Sequence, residues 1–230
     1  VGDRGHRSGQ APPGPVYYFS PDRKGEHPRK HLQKSTGILQ ADAYTGFKAL
    51  YETRADGSAQ FREAACWAHL RRDFHDIWTG TKSEIAKGAL DRIGQLYDIE
   101  RDIKGLPADE RYAVRQQQTK PKVEAFHAWA EVQLARIPGK SDLAKAFRYG
   151  LSRWSSFTLF LDDGRVAIDN NAAERGMRPI GVGRRNWLFA GSDTGGDTLA
   201  RAMTVIEPAK MNGPNPQAYL TDIPTLYHSH

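Results

Sequence analysis

The sequence predicts an α/β protein whose core is interrupted by an all-helical insertion. Over residues 16–81, short apolar or β-branched runs alternate with segments whose apolar residues recur every three or four positions, which is typical of parallel strands joined by helices. Over residues 82–160 only the helical spacing remains. We therefore expect a core built from 16–81 and 161–207, and irregular chain at 1–15 and 208–230.

The first part of the core is expected to alternate strand and helix three times. Its three predicted strands are rich in aromatic, β-branched or other apolar residues: VYYFS at 16–20, GILQAD at 37–42 and FREAAC at 61–66. The predicted helices follow them at 28–35, 44–51 and 67–80. Pro28 suits the first turn of the first of these helices.

The insertion is expected to contain three amphipathic helices. Their apolar residues keep helical spacing over 85–103, 123–137 and 143–154, and Pro107 follows the first helix. Four prolines after residue 207 predict irregular chain at the end of the sequence.

Composition limits the classes of protein and of site. Of the 230 residues, 39% are hydrophobic, which suffices for a buried core. No run approaches the roughly 18 apolar residues of a membrane span, and no signal-peptide pattern opens the chain, so we expect a cytoplasmic protein without a membrane partner. Cys66 is the one cysteine, which excludes an internal disulfide and a thiolate-rich zinc site.

The charge favours an anionic partner. The formal net charge is +6 and the pI about 9.4, and clustered Lys and Arg bind phosphates with release of counterions. One basic run, Arg23 to Lys34, has five Lys or Arg and one acid; another, Arg175 to Arg185, has four arginines and no acid. Either run on its own also fits an ordinary solvated face.

Two acids stand at positions where chemistry is expected, and each also fits a capping role. Asp42 follows an apolar strand, and ligands collect at the carboxyl ends of parallel strands, but aspartate is equally a preferred helix N-cap. Glu174 lies three residues after Asn171 in NNAAE, which is the spacing of a capping box. Position alone leaves both interpretations open.

The neighbours of Glu174 favour a metal and phosphate site. Asn170, Glu174 and Arg178 are spaced four apart and share one helical face, with Asn171 and Arg175 beside it. Carboxylate and amide oxygens suit Mg²⁺, which often uses one or two carboxylates together with substrate phosphates. A hydrolase that uses Asp42 and Glu174 as an acid/base pair is disfavoured, since the arginines would lower the pKa of the acid.

For three other motifs an ordinary structural interpretation is favoured over a functional site. Cys66 and His69 form a C-x-x-H that lacks a second ligand pair, so a packed thiol is favoured over a zinc site. The GSDTGG stretch at 191–196 lacks the Lys-Ser/Thr ending of a phosphate loop, and a turn is favoured. The Trp-Leu-Phe triplet at 187–189 is interpreted as core and not as a base-stacking platform.

Four blocks in this order resemble the transposases of the insertion-sequence 66 family of bacterial mobile elements. They are GILQADAYTGF (37–47), AACWAHLRRDF (64–74), DGRVAIDNNAAERGMRPI (163–180) and GRRNWLFAGSDTGG (183–196). The resemblance implies a ribonuclease H-like fold with an Asp-Asp-Glu triad that binds two divalent ions, Mg²⁺ or Mn²⁺. By this resemblance Asp42 is the second aspartate and Glu174 the glutamate, and both are metal ligands.

The same resemblance implies cleavage and transfer of double-stranded DNA at the element's ends and target, in a bacterial, nucleoid-associated protein. Asn170 and Asn171 would orient the site, and four arginines would hold phosphates: Arg175, Arg178, Arg184 and Arg185. Self-association or other transposition proteins are further expected partners.

The departures from the family pattern concern the two ends of the chain. No residue matches the family's first aspartate, since the segment around Asp3 resembles a loop that follows the early strands, and Pro208 falls where the family continues a helix. We therefore expect an N-terminally truncated catalytic core that is inactive alone. The alternative is a DNA-binding remnant without catalysis.

Overall fold

The computed structural model describes residues 14–41, 45–53, 57, 59–186, 191–213, 215–218 and 221, with the backbone alone for 184–186. The described chain is mainly helical and contains a small two-stranded parallel sheet. It divides into two compact units. We call Pro28–Asn170 the larger unit, and Val1–His27 together with Asn171–His230 the smaller unit.

The parallel sheet of the larger unit is the predicted second and third strands. Strand β1 (Gly37–Gln40) pairs with β2 (Phe61–Ala64), with Gly37 opposite Phe61 and Gln40 opposite Ala64. The predicted parallel orientation is confirmed. Both strands have four residues and run parallel, so their carboxyl ends lie at one edge of the sheet.

The predicted strand at 16–20 is wrong, since these residues belong to no ladder. The amide of Tyr17 donates instead to Thr204 Oγ1 at 2.9 Å, and the Tyr17 hydroxyl donates to the carbonyl of Gly176. Tyr17 packs with Ala200 and Met203, and Phe19 lies against this cluster. Residues 16–20 therefore contact a helix where a neighbouring strand was expected. Aromatic content alone does not distinguish a segment that packs on a helix from one that pairs in a sheet.

Ten helices lie within the described residues. Their bounds are α1 Glu26–Leu32, α2 Lys48–Tyr51, α3 Trp67–Thr81, α4 Glu84–Asp102, α5 Ala108–Val114, α6 Lys120–Arg136, α7 Asp142–Ser152, α8 Trp154–Asp162, α9 Asn171–Asn186 and α10 Asp193–Asn212. The predicted helices at 67–80, 85–103 and 123–137 are confirmed as α3, α4 and α6. The predicted helix over 44–51 is reduced to a 3₁₀ turn (Thr45–Phe47) followed by α2.

Three helical features differ from the predictions. The helix expected over 143–154 ends at Ser152, and α8 begins separately at Trp154. Helix α5 was not predicted, and a π-helical segment (Arg115–Thr119) joins it to α6. Helix α10 continues through Pro208 to Asn212, where irregular chain was predicted, and residues 216–218 are also helical. Pro208 removes one backbone hydrogen bond of the helix without ending it.

The core of the larger unit is formed around Trp67, whose side chain is fully buried. Its indole Nε1 donates to the carbonyl of Phe157 at 2.9 Å, and its ring meets Phe126, Trp154 and Phe157 edge-on. These rings come from α3, α6 and α8, so the helices of residues 82–160 share one hydrophobic core with the chain that carries the sheet. Within the described residues, no helix is long and apolar enough to cross a membrane.

Candidate functional site

Helix α9 carries most of the predicted site residues. It begins at Asn171, and the side chains of Glu174, Arg175 and Arg178 are exposed. Glu174 lies in the first turn, where a negative charge is favoured by the helix dipole, and it precedes Arg178 by four residues, the favourable order for an acid and a base. The predicted shared face of Glu174 and Arg178 therefore falls on a helix.

The other predicted site residues lie at the two ends of α9, directly before it, or outside the described residues. Arg184 and Arg185 lie in the last turns of α9, with no side-chain description. Asn170 directly precedes the helix and Asn171 opens it, and both are half-buried. Asp42 lies outside the described residues. The predicted pairing of Asp42 with Glu174 at a metal therefore stays a prediction.

The segment that leads into α9 lies at the carboxyl edge of the sheet. Gln40, the last residue of β1, donates its side-chain Nε2 to the carbonyl of Ala167 at 2.8 Å. The amide of Trp67, three residues beyond β2, donates to the carbonyl of Ile168 at 3.2 Å. That bond satisfies one of the free amides at the start of α3. Residues 166–170 are thus held beside the ends of both strands, where ligands collect in parallel sheets.

One polar side chain of this segment, Asp169, was not singled out from the sequence. Asp169 accepts a hydrogen bond at its Oδ2 from the hydroxyl of Tyr97 on α4, at 3.0 Å. Burial of the phenol, and next the charge of Asp169, raise the pKa of Tyr97, so the hydroxyl keeps its proton and remains a donor. The signal for Asp169 was its place directly before Asn170 in DNN.

Asn170 has a buried acceptor. Its Oδ1 is inaccessible to solvent and finds no hydrogen-bond donor among the described residues. A buried amide oxygen without a partner costs free energy, and such an oxygen is also a hard ligand for a divalent cation. Cys66 lies near the backbone of Asn170, and burial raises the pKa of its thiol, which fits the packed-thiol interpretation.

Arg115, in the larger unit, donates hydrogen bonds from all three nitrogens of its guanidinium group. It is fully buried, and its guanidinium donates from Nε and Nη2 to the two carboxylate oxygens of Glu100, each at 2.7 Å. Its Nη1 donates to the carbonyls of Phe160 at 2.7 Å and Val166 at 2.9 Å. Arg111 adds a bond to Glu100 at 3.1 Å.

These bonds connect the helical insertion to the chain before α9. Phe160 lies in the last turn of α8, where carbonyls lack intrahelical donors, and the next carbonyl, of Leu161, accepts from Gln116 at 2.8 Å. Both donors come from the π-helical segment, and π-helical turns are frequent at functional sites. We call Glu100, Arg115 and the carbonyls of Phe160 and Val166 the arginine clamp.

One further group of candidate ligands lies in the smaller unit. Asp22, Glu26 and His27 each offer an atom within 4.8 Å of the others. His27 Nε2 lies 2.6 Å from Asp22 Oδ1. The amide of Lys24, then its ammonium and His27, lower the pKa of Asp22 to about 2. Since Asp22 already has these partners, the group by itself does not make a metal site.

Comparison with known proteins places the chain in a family. Residues 3–198 match the profile of the family described as "Transposase IS66 family". Similar curated proteins of Sinorhizobium fredii (strain NBRC 101917 / NGR234) are "Uncharacterized protein y4hP", 43% identical over 227 residues, and "Uncharacterized protein y4qI", 37% identical over 215. These alignments cover 94% and 93% of this chain but 41% and 40% of the relatives. No solved structure matches the chain significantly. The chain belongs to the IS66 family of transposases.

Proposed function

We propose that this chain forms part of the DNA cleavage and strand-transfer site of a transposase, with Asp42 and Glu174 as its acids. Family membership supports a role in transposition and makes DNA the expected partner. The curated relatives are more than twice as long as the stretch that this chain matches, so the activity of the whole protein is part of the proposal.

The observation that carries the proposal is the hydrogen bond between Gln40 and Ala167. Asp42 follows Gln40 by two residues, and Glu174 follows Ala167 by seven. The side chain of Gln40 lies 2.8 Å from the Ala167 carbonyl, although the two residues are 127 positions apart. Capping roles for Asp42 and Glu174 give no reason for such a link, whereas a shared site at the edge of the sheet requires one.

The donor set fits divalent cations of the magnesium type. Two carboxylates and the unpartnered Oδ1 of Asn170 are hard oxygen ligands. When bound, two such ions would activate the attacking oxygen and stabilise the leaving oxygen of phosphoryl transfer. Asp42 and Glu174 would hold the ions, while Asn170 and Asn171 would orient the ligands around them.

Binding of DNA is assigned to the exposed arginines of α9. Arg175 and Arg178 lie on the same helix as Glu174, with exposed side chains, and Arg184 and Arg185 follow in its last turns. Arginine contacts to phosphate position a duplex without reading its sequence. We therefore expect binding with little sequence preference and strong dependence on salt.

The fold that this proposal requires is ribonuclease H-like. Its support is the parallel pair β1 and β2 with a helix after each strand, and the placement of residues 166–170 at the carboxyl edge. The two-stranded sheet of the described residues is smaller than the sheet of that fold.

A second candidate function is DNA binding without strand cleavage. No residue of this sequence matches the first aspartate that the family pattern expects, and two carboxylates do not hold two ions firmly. A nicking assay on supercoiled DNA with Mg²⁺ or Mn²⁺ tests whether this chain cleaves DNA on its own. We expect DNA binding and no nicking by this chain. Robust nicking that is lost in Asp42→Asn would show that another acid supplies the third carboxylate.

The proposed metal site is tested by a binding measurement that does not depend on DNA cleavage. Free Mn²⁺ measured by electron paramagnetic resonance should show tighter binding by the parent chain than by Asp42→Asn or Glu174→Gln. The matched control is Asp98→Asn, an exposed acid on α4, which should bind like the parent. Equal affinity in all four proteins would remove Asp42 and Glu174 from any shared site.

The distance between the two acids is a further test. Ligands of two ions about 4 Å apart lie within about 8 Å of each other. Asp42→Cys and Glu174→Cys should therefore be joined by a bismaleimide with a spacer of similar length. Cys66 is buried and its thiol pKa is raised, so it should not react. If linkers up to about 12 Å fail in a folded double variant, Asp42 and Glu174 are separate caps.

A further inference from the structure

The larger unit contains a groove to which no role has been assigned. It is bounded by the second half of α3, by the turn between α6 and α7, and by α7, and its volume is about 1000 Å³. Its apolar residues include Ile77 on α3, Ile137 in the turn, and Leu143, Ala146 and Tyr149 on α7. None of the predicted site residues lines it.

The groove has the shape of a slot between two helices. On α3, Asp73, Asp76, Ile77 and Gly80 line it, at the three- and four-residue spacing of one helical face. On α7, Asp142, Ala146 and Tyr149 also follow this spacing. Helical grooves with an apolar floor receive the apolar face of another helix, through residues spaced three or four apart.

The rim of the groove is acidic on a protein that is basic as a whole. Asp73, Asp76 and Asp142 line it, and the one cation among the lining residues, Lys145, lies 2.8 Å from Asp142. Asp73 and Asp76 are the other charged residues of the lining, with His75 Nδ1 3.5 Å from Asp76 Oδ1, although the chain carries a net charge of +6. Desolvation raises the pKa of Asp73, and the charge of Asp76 adds to that effect, while His69 and Arg72 act against it. A cation placed over these two acids would be stabilised, whereas the phosphates of DNA would be repelled.

We propose that this groove binds a cationic amphipathic helix of a partner protein. The apolar face of the partner would lie on Ile77, Ile137 and Leu143, and its Lys or Arg side chains would reach Asp73 and Asp76. The complementary charges would speed association and exclude acidic helices.

Gly80 offers a way to close the groove without disturbing the fold. A Cβ built on Gly80 meets no heavy atom within 4 Å, so Gly80→Leu adds a side chain on the groove-lining face of α3. The matched control is Gly94→Leu on α4, where an added Cβ also meets nothing within 4 Å and which does not line the groove. Leucine is a better helix former than glycine, so both variants should fold.

The experiment is a fluorescence anisotropy titration of the complete chain against two synthetic peptides. One is a Leu/Lys amphipathic peptide of about 14 residues, long enough to form a helix on binding, and the other has Glu in place of each Lys. We expect binding of the Leu/Lys peptide only. Gly80→Leu should weaken it about tenfold through a steric clash, and Asp73→Asn or Asp76→Asn about threefold through loss of one charge. Gly94→Leu and Asp98→Asn should bind like the parent.

Several outcomes would overturn the proposal. Absence of Leu/Lys binding, equal binding of the Leu/Glu peptide, or equal affinity in Gly80→Leu and Gly94→Leu would each exclude a cationic helix from this groove. Analytical ultracentrifugation provides a separate test. If the parent chain self-associates and Gly80→Leu alone abolishes that association, the occupant is a second copy of the chain and the proposed partner is wrong.

Discussion

The two compact units differ in what holds them together. The larger unit is built on a cluster of twenty buried apolar residues, with Trp67 at its centre and the arginine clamp at its edge. The buried cluster of the smaller unit contains Tyr17, Ala200 and Met203, with three partly buried apolar residues against it. The segment at the sheet edge belongs to the larger unit, and the exposed residues of α9 belong to the smaller unit.

This difference indicates a division of roles. Burial and directed hydrogen bonds hold residues 166–169 of the larger unit, whereas the side chains of Glu174, Arg175 and Arg178 in the smaller unit are exposed. Substitutions in the larger unit and in the smaller unit should therefore have different effects. Each prediction below tests that contrast, from the largest expected effect to the smallest.

The largest effect is expected for Trp67→Ala. It removes three edge-on aromatic contacts and the hydrogen bond to Phe157, and such truncations cost about 3–5 kcal/mol. We expect thermal unfolding to show this loss, with Tyr97 and other tyrosines of the larger unit exposed at lower temperature. A loss below about 1 kcal/mol would mean that the described core does not control the stability of this unit.

Breaking the arginine clamp should lower the free energy of unfolding by nearly as much as Trp67→Ala does. Arg115→Ala leaves the carboxylate of Glu100 in a buried position, with Arg111 as its remaining described cation, and removal of one partner of a buried pair costs about 3–5 kcal/mol. The triple variant Arg111→Met, Arg115→Met and Glu100→Leu removes all three charges of this buried group and should be more stable than Arg115→Ala. Chemical denaturation of the three proteins measures this order. If Arg115→Ala equals the parent, the clamp does not hold residues 160–166.

A smaller loss is expected in the smaller unit. Met203→Ala shortens a buried side chain that packs with Tyr17 and Ala200, and core methionine truncation costs about 2–5 kcal/mol, with the lower end where neighbours can close the space. Since this cluster is small, we expect about 2 kcal/mol. Hydrogen exchange should then increase in α10 and leave α3 and α4 unchanged. Equal increases in both units would show that they unfold as one.

The Tyr97 hydroxyl gives a prediction for alkaline pH. Because the pKa of Tyr97 is raised above its ordinary value of 10.0 in the folded state, the folded protein keeps a proton that the unfolded chain loses. Its contribution is complete below pH 10 and decreases as the pH rises further, by up to about 1.4 kcal/mol per pH unit. In urea titrations, the free energy of unfolding of Tyr97→Phe should decrease less steeply between pH 10 and 11 than that of the parent. Tyr112→Phe, a half-exposed tyrosine on α5, should follow the parent.

The smallest change concerns the salt dependence of DNA binding. If Arg178 and Arg185 each contact a phosphate, Arg178→Ala or Arg185→Ala should lower the slope of log affinity against log salt by about 1. Arg101→Ala, which removes an exposed arginine of α4, serves as the control for net charge. Unchanged slopes in both α9 variants would place DNA on another surface of the protein.

Local sequence information was sufficient for the elements whose partners lie nearby. The spacing of apolar residues predicted α3, α4 and α6, because helical periodicity acts over a few positions and these helices each bury one face. The runs at 37–42 and 61–66 gave the two parallel strands. The NNAAE motif and the four-residue spacing, together with the family resemblance, selected Asn170, Asn171 and Glu174, which lie directly before α9 or in its first turn.

Tertiary structure alone decided the features whose partners are distant in the chain. Arg115 binds carbonyls 45 and 51 residues away, Tyr97 binds Asp169 across 72, and Gln40 binds Ala167 across 127. No periodicity marks such pairs, because the energy of a buried polar group depends on which donors and acceptors surround it after folding. The same reason explains why residues 16–20 bind a helix and form no strand. Aromatic and β-branched content predicted a strand there, and only the packed structure determined that Tyr17 is buried against α10 while Val16 and Tyr18 stay exposed.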